Sequence, residues 1–136
     1  MKGNCRITRE ALAQMLEAAH ADSANECCGL LAGRDDVITT IFHASNALAS
    51  ATAYEIAPQE IFAHVREIRV QGLELLGIYH SHLNSENIPS PTDIERAYYP
   101  DASYFIISPK PDAPKPIRAF HIREGNVTEL IIEEVL

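Results

Sequence analysis

The stretch HSHLNSENIPSPTD (residues 80–93) sets two histidines one residue apart, with a serine and then an aspartate spaced behind them. It follows the apolar run LELLGIYHSH (73–82), which reads as a central strand. Alternation along a strand sends His80 and His82 to the same face, about 6–7 Å apart at Cα, a separation that one metal ion can bridge. A bare His-x-His is more often only a polar strand end. Ser90-Pro91-Thr92-Asp93 has the same double reading. Serine as N-cap, proline at N1 and an acid at N3 make a capping box that needs no catalytic role. A helix start held beside a strand end would, however, also present Asp93 to the two histidines. Two imidazoles and one carboxylate leave the fourth tetrahedral position open, the arrangement of a catalytic rather than a structural zinc site. The mixed nitrogen and oxygen donors favour zinc over magnesium or calcium, which prefer all-oxygen shells.

Upstream, ITREALAQMLEAAHA (7–21) carries an apolar face of Ile7, Ala11, Met15 and Leu12, Leu16, Ala19, with Thr8 as its N-cap and Ile7 as a staple. ECCGLLAG (26–33) reads as a short buried strand, and VITTIFHASN (37–46) as a second strand after the turn at Gly33-Arg34-Asp35-Asp36. A shorter run, AYEIA (53–57), ends at Pro58, which opens the helix PQEIFAHVREIRV with Ile61, Val65 and Ile68 on one stripe. Downstream, SPTDIERAYY (90–99) predicts a short helix and SYFIISP (103–109) a strand. PIRAFHIREGNVTELIIEEV (116–135) predicts a hairpin turning at Glu124-Gly125-Asn126. No repeat appears, and the one proline-rich connection, PKPDAP (109–114), is too short to separate domains. The order predicts a single domain over 1–136, of mixed α/β class, with a mixed sheet flanked by helices.

At 136 residues the chain is long enough for a real core. Its net charge of −8 argues against nucleic-acid or anionic-membrane partners, which call for a basic face. The N-terminal MKGNCRITREALAQ lacks the apolar core of a signal peptide, and no run is long enough to span a membrane. Cys5, Cys27 and Cys28 make no disulfide framework, so the chain reads as cytoplasmic with reduced thiols. Adjacent cysteines with no histidine partner are poor candidates for a nucleophile, and His20, His43, His64 and His121 read as solvated or singly hydrogen-bonded. A metal-activated water needs a base, and on the residues alone Glu26, Glu55, Glu60, Glu74 and Glu86 all qualify. Glu26 opens an apolar strand, where partial burial would raise its pKa; by itself it reads as a solvated residue in a helix–strand connection.

His80-Ser81-His82, seven residues, Ser90, two residues and Asp93 reproduce the H-[ST]-H-x7-S-x2-D signature of the JAMM (MPN-plus) metalloproteases, the Mov34/MPN/PAD-1 group. Glu26-Cys27-Cys28-Gly29-Leu30-Leu31-Ala32-Gly33 resembles that family's E-x-C-G-L-L-x-G strand. SNALASATAYEIAPQEI (45–61) resembles its asparagine-containing strand and the approach to its second helix, so the likeness spans most of the chain. The resemblance implies a cytidine-deaminase-like α/β fold with one catalytic zinc held by His80, His82 and Asp93. It implies Glu26 as general base and acid, and Ser90 as a donor to the oxyanion of the tetrahedral intermediate.

Members of this family cut isopeptide or peptide bonds after the C-terminal Gly-Gly of ubiquitin-like proteins. Only a short connection follows Asp93, without the long insertion of ubiquitin-chain-specific eukaryotic members, so the chain resembles the short prokaryotic branch. The partner so implied is a ubiquitin-like protein or sulfur carrier with a Gly-Gly tail. One activity of that branch releases cysteine from a carrier C-terminus. The rival expectation is a non-catalytic MPN-type scaffold, against which the complete ligand set and Glu26 count; a nucleic-acid-linked role is disfavoured by the acidic balance.

Overall fold

The computed structural model describes residues 3–136; Met1 and Lys2, part of the N-terminal stretch read above, lie outside the described residues. Among the described residues seven strands and three helices follow one another as β1 (Asn4–Thr8), α1 (Arg9–Ala21), β2 (Cys28–Arg34), β3 (Val37–Ala44), α2 (Pro58–Val70), β4 (Glu74–Ser81), α3 (Pro91–Glu95), β5 (Ser103–Ile107), β6 (Ile117–Arg123) and β7 (Asn126–Val135). Local chemistry accounts for most of these boundaries. The Thr8 hydroxyl accepts the Ala11 N–H at 3.2 Å and starts α1. Pro58 occupies the first turn of α2, where its missing N–H costs nothing. Asp35 and Asp36 take positive φ (52° and 60°) and turn β2 into β3, as Glu124 and Gly125 do between β6 and β7 (50° and 79°).

The strands lie in the order β1-β3-β2-β4-β5-β6-β7, mixed in direction, with β4 antiparallel to β2 and parallel to β5. This is the expected mixed sheet. It also closes on itself, through a strand the sequence reading did not include: β1 pairs in parallel with both β3 and β7. The segment 53–57, read as a short apolar run, takes no regular structure.

Alternation divides the apolar side chains between two cores. Ile7, Ala11, Met15 and Ala19 pack with Leu31, Tyr79, Phe105 and Ile107 on the α1 side. Leu30, Ile78, Tyr104 and Ile106 pack with Ile56 and Ile68 on the α2 side. Gly29 lies at a close approach within the sheet, because a Cβ there would collide with the Tyr79 ring and the Phe42 carbonyl.

Two pairings place the chemistry. Cys28 lies opposite His80 across β2 and β4, and this register, run two residues further, sets Glu26 opposite His82. Ser81 clamps that end: its N–H donates to the Cys27 carbonyl (3.1 Å) and its hydroxyl accepts the Cys27 N–H (2.9 Å). His82 lies one residue past β4, yet its N–H still bonds the Ile107 carbonyl at 2.9 Å, continuing the pairing with β5.

Candidate metal centre

His80 and His82 project from the end of β4 on the α2 side, 1% and 4% exposed. The loop 83–89 then turns back, held by buried Asn87, whose amide donates to the carbonyls of Ile106 (3.3 Å) and Lys115 (2.7 Å). It delivers α3, whose capping box is complete. The Ser90 hydroxyl accepts the Asp93 N–H at 3.0 Å, and the Ser90 N–H donates to Asp93 Oδ2 at 2.9 Å. That cap fixes the carboxylate in place. Asp93 Oδ2 lies 3.2 Å from His80 Nε2 and 3.0 Å from His82 Nε2, and the two imidazole nitrogens are 3.1 Å apart.

The triangle of ligand atoms fits a metal ion. Bonds of about 2.0 Å to a tetrahedral centre put neighbouring donors about 3.3 Å apart. His82 Nδ1 donates to the Glu86 backbone carbonyl at 2.7 Å, so in the neutral ring Nε2 carries a lone pair towards the triangle. Three lone-pair atoms converging in a buried site need a cation or a proton among them. Their titration agrees. Burial pushes His80 below its ordinary value, against the pull of Asp93. Burial also lowers His82, but the Asp93 hydrogen bond and the Glu86 carbonyl outweigh it, so the net shift is upward. Burial would raise Asp93, yet hydrogen bonds from both histidines and from Ser90 hold its carboxyl well below the usual carboxylate range. Among the described residues this is the one cluster of metal-ligating side chains.

Glu26 departs from the solvated connection residue that its local sequence alone suggested. It is 4% exposed, and its Oε1 is buried without a hydrogen-bond partner. The pairing of β2 with β4 draws it inside, with Asn46 Nδ2 donating to its carbonyl at 3.1 Å and its own N–H donating to the Ser50 carbonyl at 2.8 Å. Burial raises its pKa to about 7, with His82 opposing and Asp93 adding to the rise. None of the alternative glutamates is buried as Glu26 is. Glu55, Glu74 and Glu86 are exposed, and Glu60 accepts the Ser45 N–H and pairs with His64. The cysteines are free, and burial pushes Cys5 to about 11 and Cys28 to about 12, poor values for a nucleophile.

The sequence reading placed Ser81 in the His-x-His motif and Asn46 in the asparagine-containing stretch, but gave neither a role. Ser81 is fully buried between the two histidines, and a small hydroxyl residue at that position in an apolar strand was the available signal. Asn46 Nδ2 also serves the carbonyls of Ser50 (3.3 Å) and Ala53 (2.9 Å), while its Oδ1 accepts the N–H groups of Leu48 (3.0 Å) and Glu55 (3.3 Å). The resemblance marked the stretch that holds it, but not these bonds.

Comparison with known proteins agrees with this geometry. Residues 8–123 match the family model of prokaryotic homologs of the JAB domain. A desampylase of Haloferax volcanii is 40% identical over 101 residues, covering 72% of this chain and 73% of its own. A CysO-cysteine peptidase of Mycobacterium tuberculosis is 32% identical over 125 residues, covering 90% of this chain and 86% of its own. A protein from Desulfitobacterium hafniense, solved in solution, superposes with a TM-score of 0.82 at 31% identity over 96% of this chain and 92% of that one.

Proposed function

The chain belongs to the family of prokaryotic homologs of the JAB domain, and from that premise we propose that it is a JAMM-type zinc hydrolase acting on ubiquitin-like or sulfur-carrier conjugates. Its cut falls after the Gly-Gly end of the carrier tail. The observation that carries this reading is the convergence of His80, His82 and Asp93 within 3.0–3.2 Å of one another, beside a buried and partnerless glutamate oxygen. The names of the relatives support the substrate class: one is a desampylase, another a peptidase acting on CysO-cysteine.

His80 and His82 would hold zinc through Nε2 and Asp93 through Oδ2. When bound there, zinc supplies Lewis-acid chemistry, acidifying a water to a pKa near 7 and polarising a carbonyl. The rest is the work of the chain. Glu26, its carboxyl buried and without a hydrogen-bond partner at Oε1, takes a proton from the attacking water and returns it to the leaving nitrogen. Because the Ser90 hydroxyl accepts from the Asp93 N–H, its own hydrogen is free to donate to the oxyanion. Ser90 therefore caps α3 with a lone pair and serves the reaction with its proton.

The test is direct. Zinc-loaded protein is incubated with carrier proteins bearing short extensions beyond Gly-Gly, and the products are weighed by mass spectrometry. Release of the extension at the Gly-Gly boundary, lost on chelation and in His80→Ala, is the expected result. An intact carrier in the presence of bound zinc would refute the assignment and return the chain to the scaffold class.

A further inference from the structure

A histidine that ligates a metal through one nitrogen ordinarily donates its other ring N–H to a partner, which fixes both tautomer and ring plane. His82 obeys this rule through the Glu86 carbonyl. His80 does not: its Nδ1 is buried with no hydrogen-bond partner. A ring stack covers the face of the imidazole instead. The Tyr54 ring lies against the His80 imidazole with centroids 4.4 Å apart and planes 20° from parallel, while His82 meets it edge-on at 4.9 Å and 61°. Beyond its Nε2 contacts, the His80 ring is confined by packing and not by a hydrogen bond at Nδ1.

Tyr54 belongs to a segment without regular structure, so something else must hold it still. Asn46 does. Its amide takes the carbonyl of Ala53 and the N–H of Glu55, the residues on either side of Tyr54, and the Ala47 N–H adds a bond to the Glu55 carbonyl at 2.8 Å. The same Asn46 amide bonds the Glu26 carbonyl.

We propose that Tyr54 is a positioning residue of the metal centre, whose ring face sets the plane of His80 in place of the missing hydrogen bond. One loop then aligns a ligand through Tyr54 and the base through Asn46. The inference rests on the zinc reading of the site, and it concerns the ring face of Tyr54, not its hydroxyl.

The test compares the parent with Tyr54→Phe, Tyr54→Leu and Tyr54→Met. Zinc dissociation constants are measured by competition with a chromophoric chelator, and the visible spectrum of each cobalt-substituted protein reports ligand geometry. Removing an outer partner of a metal ligand typically costs 10–100-fold in affinity. Tyr54→Leu and Tyr54→Met should lose affinity in that range and shift the cobalt bands, while Tyr54→Phe keeps the stack and stays within about threefold of the parent. Methionine fills much of the volume of the ring without its face, so it decides the matter if the leucine variant does not fold. Leucine and methionine variants with parental affinity and spectrum would overturn the proposal. So would a phenylalanine variant as weak as they are, which would move the role to the hydroxyl. A parent that binds no zinc would instead sink the functional assignment itself, and this inference with it.

Discussion

Glu26→Gln should separate what the site costs the fold from what it gives the reaction. The parent carboxyl ionises near 4.5 in the unfolded chain and at about 7 in the folded, metal-free one. Below pH 4.5 both states hold the proton and the stability contribution is complete. Between 4.5 and 7 the unfolded state alone ionises, so stability falls with rising pH by about 1.4 kcal/mol per unit. Above 7 the deficit levels off at about 3 kcal/mol, the free-energy equivalent of that shift. Glutamine cannot ionise and carries no such deficit.

Urea unfolding of chelator-stripped parent and Glu26→Gln at pH 4.5, 6 and 8 measures this. The stability of the variant relative to the parent should rise by about 3 kcal/mol from the lowest to the highest pH. A constant cost of burying the amide would displace that curve without tilting it. With zinc restored, the same variant should keep its metal and lose about 10²–10⁴-fold in turnover, the worth of a positioned proton carrier. A difference in stability that stays flat with pH would refute the buried, high-pKa carboxyl. Near-parental turnover would remove Glu26 from the mechanism.

Three further outcomes are expected. Elemental analysis should show His80→Ala and Asp93→Ala losing most of their zinc while His64→Ala, whose ring pairs with Glu60 at 3.1 Å away from the triangle, keeps it; equal occupancy in all three would sink the ligand set. Asn46→Ala should cost about 2–4 kcal/mol in urea unfolding, because its side chain bonds carbonyl and N–H groups across the loop 46–55 and the Glu26 carbonyl, and a loss below about 1 kcal/mol would show that the loop holds itself. Replacing the penultimate glycine of the carrier tail with a bulky residue should abolish cleavage seen with the parent tail, since only a tail without side chains brings its backbone close to the ligands; unchanged rates by mass spectrometry would point to another substrate class.

How far the site could be read from sequence follows from how far apart its parts lie along the chain. His80, His82, Ser90 and Asp93 fall within one strand end and one helix start, so strand alternation and capping chemistry together suffice to draw them near each other. Glu26 is different. Its place depends on the β2–β4 register, through contacts such as Cys27 with Ser81, 54 residues apart, and no local pattern encodes such a pairing. Only resemblance to a known family singled it out among five glutamates, and its burial emerged only from the fold. Asn46 and Tyr54 are harder still, since the loop that holds them has neither helical nor strand period. β1 escaped notice for a related reason: NCRIT is short, and its last residue, Thr8, doubles as the cap of α1. Yet that strand joins β3 to β7 and closes the sheet. The ligands are thus a local property of the chain and the base a topological one. A chain that kept the His-x-His and capping-box segments but lost the β2–β4 register would be expected to bind metal without turning over.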